Sequence, residues 1–158
     1  MKTMTVNQEL QFSCPDTFHV MSAEEQGKLN FLGEGESECY TDPERHILIS
    51  IGWKPLGGLA SLLIRASDAA HQMEAVVKQH MQQYGYKAEG PKAVILGGEK
   101  ASGFRYGYEA GNIAMVGESL ACKRGKTMYY LHVYYRESLR EESASVWDEI
   151  LSSVKWIG

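Results

Sequence analysis

Three polar residues in the second half of the chain have the types that could bind or activate a small molecule. Arg105, Glu109 and His132 fall on the polar sides of two strands that the alternation of side chains predicts. If those sides face each other, the three side chains form a pocket floor that a small-molecule-binding or hydrolytic enzyme would use. An ion pair beneath a helix is the more common role of such residues.

A second polar group lies in the first half of the chain. Asp42, Glu44 and His46 occupy alternate positions, so they share one face if a strand extends over them. A carboxylate beside a histidine can tune the histidine as a base or help to hold a divalent ion. The entrance of a strand also carries polar residues without any such role, and this simpler interpretation is favoured.

No motif of an activated nucleophile or of a metal centre accompanies these groups. The sequence contains neither a G-x-S-x-G nor an H-E-x-x-H pattern. Cys14, Cys39 and Cys122 are widely spaced and form no C-x-x-C pair, so they do not supply the four close ligands of a structural zinc site. We therefore predict no metal and no cofactor, and three unpaired cysteines of a reducing compartment.

The segment from Trp53 to Leu59 places large apolar residues among turn formers. Trp53, Leu56 and Leu59 stand beside Pro55 and two glycines. Leaving such side chains in water costs about 25 cal/mol per Å² of apolar area. They therefore either cover the edge of the core or form an exposed patch for a protein partner. Pro55 and the glycines are expected to prevent a helix from covering Trp53 at once.

Alternating side chains predict the strands that must position these residues. The links between the last three strands are tight, which is typical of antiparallel neighbours. Gly103 and Gly107 lie on one side of the first of these three, which suggests that a helix backbone approaches closely there. The predicted strands cover residues 9–14, 46–53, 94–96, 104–110, 113–123 and 127–135.

Apolar residues at spacings of three and four predict two long helices. The first begins at Ser67 or Asp68 and ends before Gly85, and its apolar stripe is expected to form core. That stripe consists of Ala70, Met73, Val77, Met81 and Tyr84. The second helix carries one stripe made of Trp147, Ile150, Leu151 and Val154.

Two short patterns are typical of helix starts. Ser22 and Glu25 fit a capping box, in which each side chain bonds the backbone of the other residue. A short helix to about Phe31 is expected to follow, before the glycines at 33 and 35. Ser138 and Glu141 fit a second capping box at the start of the last helix.

Length and composition restrict the class of protein. The 158 residues predict a single domain over positions 1–158, and 44% hydrophobic residues suffice for a core. The formal charge of −4 weighs against nucleic acid as a partner. The longest nearly apolar stretch, residues 56–64, is too short for a membrane span, which needs about 20 residues. No signal segment precedes the first strand, so a cytoplasmic protein is expected.

The order of elements predicts an α+β fold with a mostly antiparallel sheet of about six strands flanked by helices. Several packing motifs in that order resemble those of PsbP-like domains. They are Phe12-Ser13-Cys14-Pro15-x-x-Phe18, Ile95-x-Gly97-Gly98-x-x-Ala101, Tyr130-x-His132-x-Tyr134-x-Arg136 and Ile150-Leu151-x-Ser153-Val154-x-Trp156. The resemblance covers nearly the whole chain.

The resemblance implies an α/β/α sandwich, as in the photosystem II extrinsic subunit and a Ran-binding nuclear import factor. Members of this group are mostly non-enzymatic adaptors, chaperones and extrinsic subunits, and many bacterial members are exported lipoproteins. No motif here carries the Ran-binding or manganese-cluster roles. We therefore expect a non-catalytic binding or adaptor domain with an unidentified protein partner, and homodimerisation remains open. The alternative is the enzyme that uses Arg105, Glu109 and His132.

Overall fold

The computed structural model describes residues 1–26 and 36–157, which form α-helices and β-strands of very different lengths. The helices are α1 (Ala23–Gln26), α2 (Gly58–Leu63), α3 (Ala66–Met81) and α4 (Arg140–Ser152). The strands are β1 (Lys2–Val6), β2 (Leu10–Cys14), β3 (His19–Val20), β4 (Glu36–Asp42), β5 (Ile47–Pro55), β6 (Lys87–Leu96), β7 (Glu99–Ala110), β8 (Ile113–Arg124), β9 (Thr127–Arg136) and β10 (Lys155–Trp156).

The strands form one large and one small antiparallel sheet. The large sheet has seven strands in the order β3-β4-β5-β9-β8-β7-β6, and the small one has the order β1-β2-β10. The predicted antiparallel meander is confirmed as β7, β8 and β9, which pair in register along almost their whole lengths. Several strands are longer than predicted or additional. The strands β6 and β7 begin earlier than predicted, at Lys87 and Glu99, and the strands β1, β3, β4 and β10 were not predicted.

The two faces of the large sheet carry cores of unequal size. Side chains alternate along each strand, so neighbouring residues of β8 point to opposite faces. The main core lies between the large sheet, the small sheet and α4, whose Trp147, Ile150, Leu151 and Val154 are all buried as predicted. The second core, beneath α3, is small and centres on Ala69, Ala70, Ala121 and Met128. The expected α/β/α sandwich is confirmed.

The predicted apolar stripe of α3 forms core only at its start. Ala70 is buried and Met73 is half-buried, but Tyr84 is 45% exposed. Tyr86, two residues further on, makes the aromatic contact instead, since its ring stacks on that of Tyr106 at 5.3 Å between centroids. Gly85 has φ +74, the left-handed conformation that glycine adopts without a steric penalty.

The helix starts agree only in part with the capping patterns. Glu25 N–H donates to Oγ of Ser22 at 3.1 Å, and Ser22 N–H donates to Oε1 of Glu25 at 3.0 Å, which confirms the first capping box. The remainder of that predicted helix, to Phe31 and the glycines after it, lies outside the described residues. The second capping box is wrong, because a 3-10 turn over Glu137–Leu139 precedes α4 and no side chain caps it.

The start of α3 also differs from the prediction. The helix begins at Ala66, and Asp68 occupies its third position instead of the cap. There the Asp68 carboxylate accepts a hydrogen bond from the backbone N–H of Arg65 at 2.9 Å. A carboxylate in this first turn also interacts favourably with the helix dipole.

Gly103 marks a close approach, but between strands. A Cβ added there would lie 2.8 Å from the carbonyl carbon of Ser119 and 2.9 Å from Cα of Leu120, both in β8. A Cβ at Gly107 would meet its nearest atom, a carboxylate oxygen of Glu89, at 3.4 Å. The close contact at Gly103 is therefore with a strand and not with the expected helix backbone, although α3 does pack on β7. Hydrogen-bonded strands lie closer together than a helix and a sheet, so a strand neighbour makes the closer contact.

Candidate functional site

The structure does not bring Arg105, Glu109 and His132 together. Arg105 pairs with Glu118 of β8, whereas Ser119, the next residue, pairs with His132 of β9. Because adjacent residues of a strand point to opposite faces, Arg105 lies on the α4 face of the sheet and His132 on the α3 face. Glu109 shares a face with Arg105 but lies exposed near the end of β7. The three residues form no common pocket.

Arg105 takes part in an ion network beneath α4. The buried carboxylate of Glu118 accepts hydrogen bonds from Nε and a terminal nitrogen of Arg105, at 3.2 and 3.0 Å. Lys92 donates to the second oxygen at 2.8 Å, and the indole N–H of Trp147 donates to that oxygen as well. A buried carboxylate with this many donors holds α4 against the sheet. The common interpretation of Arg105, an ion pair under a helix, describes this arrangement.

His132 lies on the opposite face with one ring nitrogen bonded. Its Nδ1 lies 2.7 Å from Oγ of Ser119, which is fully buried. Burial lowers the pKa of His132 to about 4, because the imidazolium ion would lose its hydration there. The imidazole is therefore neutral at pH 7.

The neutral ring lines a cleft between α3 and the strands β4, β5 and β9. We call this cavity the α3 cleft; its volume is about 310 Å³. Its floor includes Ser37, Ser50 and His132, and its α3 wall includes Met73 and Val77. Backbone pairing places Ser50 beside His132, so these two floor residues are direct neighbours. The cleft therefore has an apolar wall and a small number of polar groups, as ligand sites commonly do.

Trp53 and Leu56, proposed from the sequence as binding residues, both pack inward. Trp53 is half-buried against the main core, and its indole N–H donates to a carboxylate oxygen of Glu36 at 3.0 Å. Leu56 is half-buried against the small core beneath α3. These two side chains cover the edges of the two cores, which was one of the two alternatives for the segment.

Leu59 belongs to an exposed apolar surface that the sequence analysis only partly located. A short helix, α2, begins at Gly58, three residues after β5 ends. Leu59, Leu62 and Leu63 of this helix are 71%, 80% and 67% exposed, and we call them the leucine patch. The signal for the additional leucines was the apolar run over residues 56–64, which contains Leu62 and Leu63.

A lysine from the sheet anchors the helix that carries the patch. The ammonium group of Lys123 in β8 donates hydrogen bonds to the carbonyl oxygens of Ser61 and Ile64, the latter at 3.0 Å. These carbonyls lie at the C-terminal end of α2, where a cation is favourable because backbone acceptors there lack helical partners. The leucine patch therefore projects from a helix that the sheet holds in place.

Asp42, Glu44 and His46 do not share a strand face. The β4 strand ends at Asp42, and His46, with φ +57, lies in the turn before β5. Asp42 is buried and accepts hydrogen bonds from Oγ1 of Thr17 at 2.7 Å and from Arg45 at 2.8 Å. Burial raises the pKa of Asp42, but these hydrogen bonds outweigh it and lower the pKa below its ordinary value.

Neither a metal cluster nor a membrane-crossing helix occurs in the described ranges. Within residues 1–26 and 36–157, no three His, Cys, Asp or Glu side chains are grouped so that they could hold a metal ion. The helices of the same ranges are all too short or too polar to cross a bilayer. The three cysteines are buried and unpaired, and burial raises the pKa of the Cys122 thiol to about 12.

Comparison with solved structures identifies the fold. The solution structure of cyanobacterial PsbP (CyanoP) from Synechocystis has a TM-score of 0.70 and 13% identity, covering 99% of this chain and 92% of that one. LpqN of Mycobacterium tuberculosis, described as involved in cell envelope biogenesis, has a TM-score of 0.63 and 12% identity over 94% of this chain and 83% of that one. The Saccharomyces cerevisiae Ran-binding protein Mog1p has a TM-score of 0.60 and 9% identity over 97% and 93%.

Comparison of the sequence with known families and proteins does not assign the chain to a family. The chain matches no protein-family model and has no significant match among curated proteins. At 9–13% identity, the likeness to solved structures concerns the fold alone. The structural matches cover nearly the whole chain. They agree with the sequence motifs that resembled PsbP-like domains. The protein therefore has the PsbP-like fold, in an arrangement shared with the Ran-binding protein Mog1p.

Proposed function

We propose that this chain is a single non-catalytic domain that binds another protein through the leucine patch. The observation that carries the proposal is the exposure of Leu59, Leu62 and Leu63 on one short helix. Burying one leucine side chain fully is worth about 2 kcal/mol, so an apolar partner surface gains substantially by covering all three. Exposed apolar clusters of this kind commonly mark interaction sites.

The anchoring of α2 supports a binding role for the patch. A helix held by Lys123 presents its leucines with little motion, so a partner loses less conformational entropy on binding. One structural neighbour, Mog1p, is a Ran-binding protein, which agrees with protein recognition on this fold. The partner that we propose carries a complementary apolar surface.

The separation of the polar residues supports a role without catalysis. Arg105 is engaged by the buried Glu118, and His132 lies on the other face of the sheet. The hydroxyl of Ser119, which contacts His132, is fully buried and is not accessible to a substrate from solvent. A general base needs a substrate within hydrogen-bond distance, and these residues offer no shared site to one.

We place the protein in the cytoplasm, and the cysteines support this location. Cys14, Cys39 and Cys122 are buried and unpaired, as expected in a compartment that keeps thiols reduced. Cell fractionation with an antibody against the chain tests the location. Recovery with the membrane or periplasmic fraction would contradict it.

The binding role is tested by affinity capture from the native cell with wild type and a patch variant. The double variant Leu59→Ser with Leu62→Ser should lose the captured protein and keep the wild-type melting temperature, because both side chains are already in water. A matched control, Val20→Ser with Ile95→Ser, removes exposed apolar side chains elsewhere and should retain capture.

Sedimentation of the same variants distinguishes a foreign partner from a second copy. If the patch mediates a homodimer, wild type and control sediment as dimers and the patch variant as a monomer. If the patch variant captures the same protein as wild type and sediments identically, the proposal is wrong.

A further inference from the structure

The floor of the α3 cleft stays open because of a glycine. Backbone pairing places Gly52 between Ser37 of β4 and Tyr130 of β9, two residues along from Ser50. A Cβ at Gly52 would lie 3.5 Å from the carbonyl oxygen of Glu36 and 3.8 Å from Cβ of Ser37, so a side chain there would occupy part of the floor in ordinary van der Waals contact. Met73 and Val77 of α3 cover this part of the sheet as half-buried side chains. The result is a cavity with a defined floor and wall, separate from the leucine patch.

The ring of His132 offers this cavity one free nitrogen. Its Nδ1 is bonded to Oγ of Ser119 at 2.7 Å, and Nε2 has no hydrogen-bond partner anywhere in residues 1–26 and 36–157. A serine hydroxyl can donate or accept, so Nδ1 can be either acceptor or donor. Nε2 is correspondingly able to donate to, or accept from, a bound molecule. An amide or a hydroxyl group satisfies both cases, because each can donate and accept.

The electrostatics of the cleft favour an uncharged occupant. At pH 7 the two charged side chains that line it are Glu36 and Lys54, both exposed and of opposite sign. Their charges offset each other, and the imidazole of His132 is neutral. A charged ligand group beside His132 would lose its hydration without gaining a counter-ion, which is costly.

We propose that the α3 cleft binds a small uncharged molecule with a compact apolar body and an amide or hydroxyl head that hydrogen-bonds Nε2 of His132. The apolar body would contact Met73 and Val77, and the head would lie between Ser50 and His132. The volume of about 310 Å³ is at the lower end of the range for ligand sites, which restricts the ligand to a small molecule.

Two probes that share one apolar body test the charge selectivity. Phenylacetamide is neutral and phenylacetate is an anion, and both contain the same benzyl group. In ¹⁵N-resolved NMR of the full chain, millimolar phenylacetamide should shift the imidazole nitrogens of His132 and the amides of α3. Phenylacetate should bind at least about tenfold more weakly, since its charge is not compensated. Absence of any shift with phenylacetamide, or equal affinity for both probes, would overturn the proposal.

Two variants remove the site by different routes. His132→Phe keeps a planar aromatic ring and removes the hydrogen bond, and Val77→Trp fills the cleft without altering His132. Both should weaken phenylacetamide binding by about tenfold or more. His71→Phe, an exposed position of α3 outside the cleft, should bind as wild type does. If Val77→Trp folds and still binds phenylacetamide with wild-type affinity, the site lies elsewhere and the proposal is wrong.

Discussion

The ammonium group of Lys123 lies 3.0 Å from the carbonyl oxygen of Ile64 and donates a hydrogen bond to it, so one side chain of the sheet fixes the end of α2. The same group bonds Ser61, one helical turn earlier. The segment that carries the leucine patch thus depends on a residue 59 positions after Ile64 and 62 after Ser61 in the sequence.

Replacing Lys123 by methionine should release α2 while leaving the cores intact. A hydrogen bond to a charged group contributes about 1.5–3 kcal/mol, so we expect a loss of that order in the free energy of unfolding. Hydrogen exchange should accelerate most in residues 58–64. Lys100→Met, at an exposed position of β7, serves as the matched control and should change neither quantity. Unaltered exchange in α2 would show that Lys123 does not hold it.

Trp53 and Leu56 should behave as core residues and not as binding residues. The double variant Trp53→Ala with Leu56→Ser removes apolar contacts from both cores, so the free energy of unfolding should fall by about 3 kcal/mol or more. Urea denaturation measures this change, and sedimentation should show the association state of wild type. Weakened association with unchanged stability would contradict this assignment.

The carboxylate of Glu118 should be the most sensitive polar group beneath α4. Glu118→Gln leaves Lys92, Arg105 and Trp147 without their shared acceptor charge, and we expect a loss of about 3 kcal/mol in the free energy of unfolding. Glu109→Gln, at the exposed end of β7, is the matched control and should cost less than about 0.5 kcal/mol. Equal stability of the two variants in urea denaturation would show that the network contributes little.

Two glycines should differ in the cost of adding a methyl group. At Gly103 the added Cβ collides with the backbone of Ser119, which hydrogen bonding holds in place, and at Gly117 it meets the ring of Tyr106, including the hydroxyl oxygen at 2.6 Å. Gly103→Ala should therefore destabilise the protein more than Gly117→Ala does, with the latter costing about 1–3 kcal/mol. Gly107→Ala, on the same strand as Gly103, should be nearly neutral.

A double-mutant cycle distinguishes the clash at Gly117 from the clash at Gly103. Removing the ring by Tyr106→Ala should abolish most of the stability cost of Gly117→Ala, because the added methyl group and the ring compete for one space. The cost of Gly103→Ala should persist in the same background. Additive costs for Gly117 and Tyr106 would argue against their steric competition.

His132 should make the protein less stable in mild acid. Its pKa falls from the ordinary 6.5 to about 4 on folding, so the unfolded chain binds more protons between these values. The stabilisation by the neutral ring is fully present above pH 6.5. As the pH falls towards 4, the free energy of unfolding decreases by about 2–3 kcal/mol. Urea denaturation at pH 7 and pH 4.5 measures it as the difference between wild type and His132→Asn. An identical pH dependence in both proteins would refute the assignment.

The sequence alone was sufficient for the elements whose signals are local. The alternation over residues 113–123 and 127–135 predicted β8 and β9, and the tight turn between them required an antiparallel pair. The stripe of Trp147, Ile150, Leu151 and Val154 predicted the buried face of α4, because helical spacing places these residues side by side. Such patterns depend on residues a few positions apart, which is why the chain reveals them directly.

Only the tertiary structure decided which side chains meet. Arg105 and His132 both lie on polar positions of strands. They lie on opposite faces because β7 and β9 pair with β8 in registers that place them beside adjacent residues, Glu118 and Ser119. Only the tertiary structure shows the contact between Lys123 and Ile64, which joins a strand to the end of α2. The sequence did not predict this helix, because its glycines are typical of turns. Register and long-range pairing arise from the packing of the whole sheet. The local sequence specifies which residues of a strand share one side. The assembled sheet determines which face of the protein that side occupies.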